Sequence, residues 1–182
     1  MEASPLITAV VETTRAYALA MVANAAPVMI KPLIDRVGRH RVDFGRKAWD
    51  GRDVLGKNKS WEGIAAAIIV SVLASTIFVY VEGNPWWIMY GFVSAVGAMC
   101  GDLLNSFIKR RLSLGPGECF IPCDQLSFLL AAHALIYLSG VYALVGVELS
   151  ARVLAFGIVA SLFLHLLTNL IAYVIGLKDV PC

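Results

Sequence analysis

The chain has 182 residues, of which 59% are hydrophobic and 15% are charged, with a formal net charge of +2. Soluble domains are typically about 45–50% apolar and about 25% charged, so this composition excludes an ordinary water-soluble domain and indicates a membrane protein. The small net charge says little about partners by itself, and the placement of the charges along the chain is more informative.

Five apolar stretches are long enough to be membrane-spanning helices, which need roughly 20 mostly apolar residues. In chain order they are residues 6–30, 64–81, 86–108, 125–147 and 153–177. Glu12 and Arg15 in the first stretch lie three residues apart on one helix face, which predicts that they pair with each other; the alternative is a position near the membrane interface. The sequence therefore predicts an all-α integral membrane protein with five spans and a single membrane domain, residues 1–182.

Basic residues are concentrated in the segments that follow the first and third stretches. Residues 31–63 hold nine of the fifteen Lys and Arg residues, and residues 109–124 begin with three consecutive basic residues. Loops rich in Lys and Arg face the cytoplasm, so both segments are predicted to be cytoplasmic, the first of them as a large basic loop. The N-terminus is then outside, and the C-terminus, with Lys178, is inside.

A stripe of polar residues ends the third stretch, at positions i, i+3, i+4 and i+7: Asp102, Asn105, Ser106 and Lys109. An α-helix places these positions on one face. Ionisable residues within a membrane face protein or a water-filled cavity and mark functional sites. The alternative is a structural ion pair of Asp102 with Lys109 or Arg15, but this does not explain the Asn and Ser on the same face.

Asp124 lies at the predicted start of the fourth helix. By itself it is typical of a residue that caps a helix N-terminus. Because a short connection joins the third and fourth helices, its carboxylate can also converge with that of Asp102 on one divalent cation. One or two carboxylates plus substrate phosphates are typical ligands of Mg²⁺, so these two residues are the predicted metal ligands.

The loop after the first stretch combines glycine with charged residues, in the sequence RHRVDFGRKAWDGRDVLGKNKSWEG. Glycine lets backbone amides approach a ligand closely, and Lys and Arg bind phosphate oxygens. The pattern indicates a polyphosphate site, although it is not a Walker loop. The alternatives are a basic segment held at anionic headgroups and a plain topology signal.

Asn24 and Pro27 lie near the inner end of the first stretch. They are predicted to line the same cavity, and the alternative is a local kink at the proline. The four cysteines form neither a CxxC pair nor a zinc-ligand spacing. On the cytosolic side of a membrane we expect all four to be reduced thiols.

Four motifs occur in order along the chain: DFGR, DGRDVLGKNKSWEG, GDLLNSFIKRR and PCDQLSF. Together they resemble the archaeal CDP-archaeol synthases, or CTP:2,3-di-O-geranylgeranyl-sn-glycerol-1-phosphate cytidylyltransferases, which are relatives of the CDP-diacylglycerol synthases. The resemblance covers about the whole chain and includes the five-span layout. It implies Mg²⁺-dependent transfer of CMP from CTP to a lipid phosphate, giving CDP-archaeol and pyrophosphate in membrane phospholipid biosynthesis.

The resemblance also implies roles for individual residues. The first signature run of the family matches Asp102, Ser106, Lys109 and Arg110. Asp124 matches the second run, and with Asp102 and Lys109 it is expected to carry the catalysis. The residues expected to bind the substrates are Asn24, Pro27, Arg46, Asp50, Gly51, Arg52, Gly56, Lys57, Asn58, Lys59, Asn105, Ser106 and Arg110.

The bacterial form of the signature differs from this sequence. Gln125 and Ser127 stand where that form has an Arg and a second Asp, and its His is missing, which favours the archaeal branch. The expected partners are CTP, a membrane lipid phosphate and the bilayer, with no nucleic acid, and the expected location is the cell membrane with the active site facing the cytoplasm. The alternatives are a CDP-diacylglycerol synthase acting on ester phosphatidic acid and a small phosphate or ion transporter.

Overall fold

The structure is a computed structural model, and it describes residues 4–176. It consists of seven helices within that range: α1 Pro5–Met29, α2 Lys31–Val37, α3 Trp61–Glu82, α4 Trp87–Arg111, α5 Cys123–Ser139, α6 Val141–Leu144 and α7 Ala151–Val174. Two isolated β-bridges, Arg41 with Ser60 and Lys47 with Asp53, lie between α2 and α3. The described residues form no longer strand, so the all-α prediction is confirmed.

Four helical segments of the described chain are long and apolar enough to cross a membrane: Pro5–Arg36, Trp61–Glu82, Trp87–Arg111 and Ala151–Val174. α5 is also apolar but is shorter. These segments correspond to the first, second, third and fifth predicted stretches, and they support a multi-pass membrane protein. The end of the fifth stretch and Lys178 lie outside the described residues.

The fourth predicted stretch, residues 125–147, is not one unbroken helix. α5 ends at Ser139 because Gly140 adopts the left-handed conformation, with φ +70°, which glycine takes without steric cost and which commonly ends helices. The single turn of α6 follows. The predicted continuous helix over this range is therefore wrong.

Two glycines let α4 approach α5 closely. A Cβ atom at Gly97 would lie 2.6 Å from Ala132 Cα, and one at Gly101 would lie 2.2 Å from the Ser127 carbonyl oxygen. Small residues four positions apart are typical of close helix contacts in membranes. The contact places the C-terminal half of α4 beside the N-terminal half of α5, where the predicted catalytic residues lie.

Ion pairs tie the helices together at the other end of α4. The Arg15 guanidinium pairs with Glu82 at 2.8 Å, and Arg152 pairs with Glu12 at 2.9 Å. The predicted pair of Glu12 with Arg15 is therefore wrong, as is a pair of Arg15 with Asp102. The side chains of Glu12 and Arg15 each point towards another helix, so each forms its ion pair there and not with its neighbour on α1.

Candidate active site

The loop of residues 38–60 is organised around the buried carboxylate of Asp43, whose side chain is only 1% exposed. Arg41 Nε donates a hydrogen bond to it at 2.9 Å. It also accepts hydrogen bonds of 3.0, 3.0 and 3.1 Å from the backbone amides of Gly45, Leu55 and Gly56. Asp43 was not among the predicted site residues, although an Asp two positions before a Gly is a recognisable Asx-turn signal.

Hydrogen bonding keeps the loop carboxylates ionised. Burial opposes the ionisation of Asp43, but the hydrogen bonds from Arg41 and the backbone amides outweigh it and hold the pKa of Asp43 well below its usual range. The hydrogen bond from Lys47 Nζ, at 2.5 Å, lowers the pKa of Asp53. Both carboxylates are therefore negatively charged at neutral pH.

We expect Asp43→Asn to loosen the loop at pH 7, because a neutral amide cannot replace a carboxylate that accepts five hydrogen bonds. The folded-state pKa of Asp43 is lowered, so its stabilisation is present above the unfolded value of about 4 and is lost as the pH falls through the folded value. The wild-type loop should lose protection from hydrogen–deuterium exchange on acidification, whereas the variant should lack it already at pH 7. Asp35→Asn, in α2, is the matched control, and wild-type protection in Asp43→Asn would contradict the role of this carboxylate.

Polar contacts hold the loop against the C-terminal half of α4. Lys59 Nζ lies 2.6 Å from an Asp102 carboxylate oxygen. Arg111 pairs with Asp50 at 2.8 Å, and Arg52 Nη1 donates to the Arg111 carbonyl oxygen at 2.6 Å. The structure thus brings Lys59, Asp50 and Arg52, all predicted to bind substrate, to the end of the helix that carries the polar stripe.

Asp124, in the first turn of α5, joins the same polar stripe. Its carboxylate accepts hydrogen bonds from Asn105 Nδ2 at 2.5 Å and from Lys109 Nζ at 2.9 Å. The Phe120 amide donates to it at 2.8 Å, and Lys109 also donates to the Glu118 carbonyl oxygen. Lys109 is therefore the partner of Asp124, and the alternative pairing of Lys109 with Asp102 does not occur.

A cavity of about 290 Å³ lies between the loop and the C-terminal end of α4 and is lined by Lys47, Arg52, Asp53, Arg110, Ser113, Leu114 and Pro116. Three of these residues are basic. Arg110 is only 9% exposed, its Nη2 donates to the Gly115 carbonyl oxygen at 3.1 Å, and its Nε has no hydrogen-bond partner within residues 4–176. A guanidinium with unused donors suits the oxygens of a phosphate group.

The donor atoms near Asp124 suit a hard divalent cation. Asn105 Oδ1 is buried and has no hydrogen-bond partner among residues 4–176, and it lies on the same helix face as Asp102. Within that range no three Asp, Glu, His or Cys side chains form a metal-binding cluster. Carboxylate and amide oxygens are ligands that Mg²⁺ takes in proteins together with substrate phosphates, so the chemistry of Asp102, Asp124 and Asn105 is compatible with such an ion.

Other predicted residues lie at the edge of this site or outside it. Ser106 is buried on the stripe, Gly51 has φ +74° in a turn, and a Cβ at Gly56 would lie 3.7 Å from Arg110. Three more are exposed in the loop: Arg46, Lys57 and Asn58. Within the described part of the chain, no hydrogen bond joins the side chains of these three to the two carboxylates.

Of the two predicted residues of α1, Pro27 lies against α3. Asn24 is half-buried, and Pro27 packs near Gly63, where a Cβ atom would lie 3.4 Å from Pro27 Cβ. Cys119, between α4 and α5, forms a disulfide bond, so the prediction of four reduced cysteines is wrong. Cys100 and Cys123 are free.

Comparison with known proteins identifies the family to which this chain belongs. The sequence profile described as CarS-like, CDP-archaeol synthase, matches residues 16–182. The chain belongs to the CDP-archaeol synthase family. The resemblance predicted from the four motifs is therefore confirmed.

Individual members of the CDP-archaeol synthase family match over most of the chain. The CDP-archaeol synthase of Thermofilum pendens is 40% identical over 166 residues, which cover 89% of this chain and 76% of the relative. That of Staphylothermus marinus is 37% identical over 163 residues, covering 90% and 88%. A solved structure of an intramembrane enzyme for archaeal membrane lipid biosynthesis superposes with a TM-score of 0.73 at 35% identity, covering 86% of this chain and 91% of that one.

Proposed function

We propose that this protein transfers CMP from CTP to 2,3-bis-O-geranylgeranylglycerol 1-phosphate, an isoprenoid ether lipid phosphate, giving CDP-archaeol and pyrophosphate. Membership of the CDP-archaeol synthase family supports nucleotidyltransferase activity. The observation that carries the proposal is the position of the basic cavity and the lysine-paired carboxylates Asp102 and Asp124 at one end of long apolar helices. Such a site is suited to join a water-soluble nucleotide to a membrane lipid.

The proposal includes five spans in a single membrane domain within the cell membrane. α5 has 17 residues and is therefore about 26 Å long at about 1.5 Å per residue, slightly less than the roughly 30 Å of a bilayer core. Local thinning of the bilayer accommodates a short span. The concentration of Lys and Arg in residues 31–63 supports a site on the cytoplasmic side, where CTP is available, and an N-terminus outside.

Mg²⁺ is the cation that we propose for the site, with Asp102, Asp124 and Asn105 Oδ1 as its protein ligands. When bound there, it would neutralise phosphate charge and polarise the phosphate that is attacked. Lys59 and Lys109 pair with the two carboxylates, and a cation bound there would replace them at those oxygens. Both ammonium groups then have an alternative anionic partner in the substrate phosphates.

The reaction needs positioning and charge neutralisation more than proton transfer. An anionic oxygen of the lipid phosphate attacks the α-phosphorus of CTP, a new P–O bond forms, and the bond to the pyrophosphate leaving group breaks. No strong general base is required, because the nucleophile is already ionised. Arg110, Arg52 and Lys47 line the cavity and would hold the phosphate groups in line, while Lys109 would neutralise charge that develops on the leaving group.

The incorporation of labelled CTP into lipid tests the proposed function. Purified protein with Mg²⁺ and the ether lipid phosphate should form a labelled CDP-lipid and an equal amount of pyrophosphate. A parallel reaction with ester phosphatidic acid measures the selectivity for lipid type, and a flux assay in sealed vesicles measures transport. Absence of CDP-lipid from a folded preparation would reject the enzyme, and phosphate or ion flux without CDP-lipid would favour the transporter.

A further inference from the structure

Trp49 is an exposed aromatic residue that lies against the end of a membrane-spanning helix. Its ring is 6.0 Å from the Phe107 ring, centroid to centroid, and the Arg111 guanidinium carbon lies 5.2 Å from the Trp49 ring centroid. Trp49 is nevertheless 83% exposed. Most of this large amphipathic side chain is therefore available to a partner outside the chain.

The face of α4 beneath Trp49 is opposite the polar stripe. At about 100° per residue, Leu104, Ile108 and Arg111 lie on the other side of the helix from Asp102. Leu104 is 58% exposed and Ile108 is 39% exposed. Exposed apolar side chains on a membrane-spanning helix face lipid chains, so Trp49 continues a lipid-facing surface at the end of the span.

The depth of Trp49 suits the boundary between lipid chains and headgroups. Arg111, with which it stacks, is the last residue of α4, so Trp49 lies at the level where this membrane-spanning helix ends. Tryptophan is enriched at the same level, because its ring is apolar and its N–H is polar. We propose that Trp49 inserts into the headgroup layer of the adjacent leaflet, with the bilayer itself as its partner.

The turn that carries Trp49 also carries a wall of the basic cavity. The Ala48 amide donates to the Arg52 carbonyl oxygen at 2.8 Å, and Asp50 and Arg52 both bond to Arg111. Arg52 lines the cavity. Insertion of Trp49 thus holds Arg52, and with it this side of the cavity, at the level of the lipid phosphate. This consequence rests on the proposed function.

Fluorescence quenching tests the insertion without any catalysis. Wild-type protein and Trp49→Phe are reconstituted in phosphatidylcholine vesicles, and the difference between their emission spectra isolates Trp49 from the other three tryptophans. We expect blue-shifted difference emission that is quenched more by lipids brominated near the headgroup than by lipids brominated near the bilayer centre. Difference emission typical of tryptophan in water, quenched by iodide but not by brominated lipids, would overturn the proposal.

Steady-state kinetics test the consequence for the lipid substrate. Trp49→Ala should raise the KM for the lipid phosphate by about fivefold and leave the KM for CTP unchanged, while Trp49→Phe should keep most of the wild-type behaviour. An equal rise in both KM values, or no rise in either, would overturn the link between Trp49 and the lipid. Failure of the wild type to form CDP-lipid would instead reject the proposed function, and the fluorescence result would still decide the insertion.

Discussion

Asp124→Asn should lower kcat/KM for CDP-lipid formation by about 10² to 10³, the size expected when a group that stabilises charge at the reacting centre is lost. The variant amide cannot provide an anionic oxygen to a cation. It also removes the ionic partner of Lys109, which is buried with 9% of its surface exposed. The measurement is the initial rate of labelled CDP-lipid formation over a range of CTP and lipid concentrations.

A second variant separates the catalytic effect from loss of stability. Lys109→Gln combined with Asp124→Asn removes the unpaired charge, so thermal stability should recover relative to Asp124→Asn while activity should not. Glu148→Gln, at the opposite end of the bundle, is the control and should be fully active. Near wild-type activity in Asp124→Asn would reject the assignment of this carboxylate to the site.

Gly101→Ala should destabilise the protein strongly, because its Cβ would lie 2.2 Å from the Ser127 carbonyl oxygen and 2.7 Å from the carbonyl carbon. Both atoms belong to the backbone of α5 and cannot rotate away. Overpacking typically costs about 1–3 kcal/mol, and we expect this variant to lie at the upper end. Thermal unfolding in detergent and the fraction of monodisperse protein after extraction measure the effect.

Gly63→Ala is the matched control for this variant. It also lies in a membrane-spanning helix, but the nearest atoms to its Cβ are side-chain atoms of Pro27 and Ser60 at 3.4 Å. Alanine has the higher helix propensity, by about 1 kcal/mol, so this variant should be as stable as the wild type or slightly more so. Equal stability of Gly101→Ala and Gly63→Ala would contradict the close contact between α4 and α5.

The parts of the fold that depend on local sequence could be predicted. Long apolar runs identify membrane helices because charged groups are costly in lipid, and the spacing of Asp102 and Lys109 places them on one face of α4 without further information. The break at Gly140 was missed, because apolar residues continue on both sides of it. The Ser139-Gly140 pair is the local turn signal that would have identified the helix end.

The partners of the charged residues could not be predicted, because they depend on which helices become neighbours. Glu12 and Arg15 are adjacent on α1, yet each pairs with another helix end. Lys59 reaches Asp102 across 43 positions of sequence, and no periodicity encodes that contact. The role of Asp43 likewise depends on the return of the chain at Leu55 and Gly56, which only the folded loop reveals.

The glycine contact between α4 and α5 also fixes the rotation of α4 about its own axis. A shift of one residue turns a helix by about 100°, which would move Asp102 from the basic loop towards the lipid chains. The same turn would bring a side chain, in place of Gly97 and Gly101, against the backbone of α5, where no Cβ fits. Two residues without side chains thus set the angular position at which the Asp102 carboxylate meets Lys59.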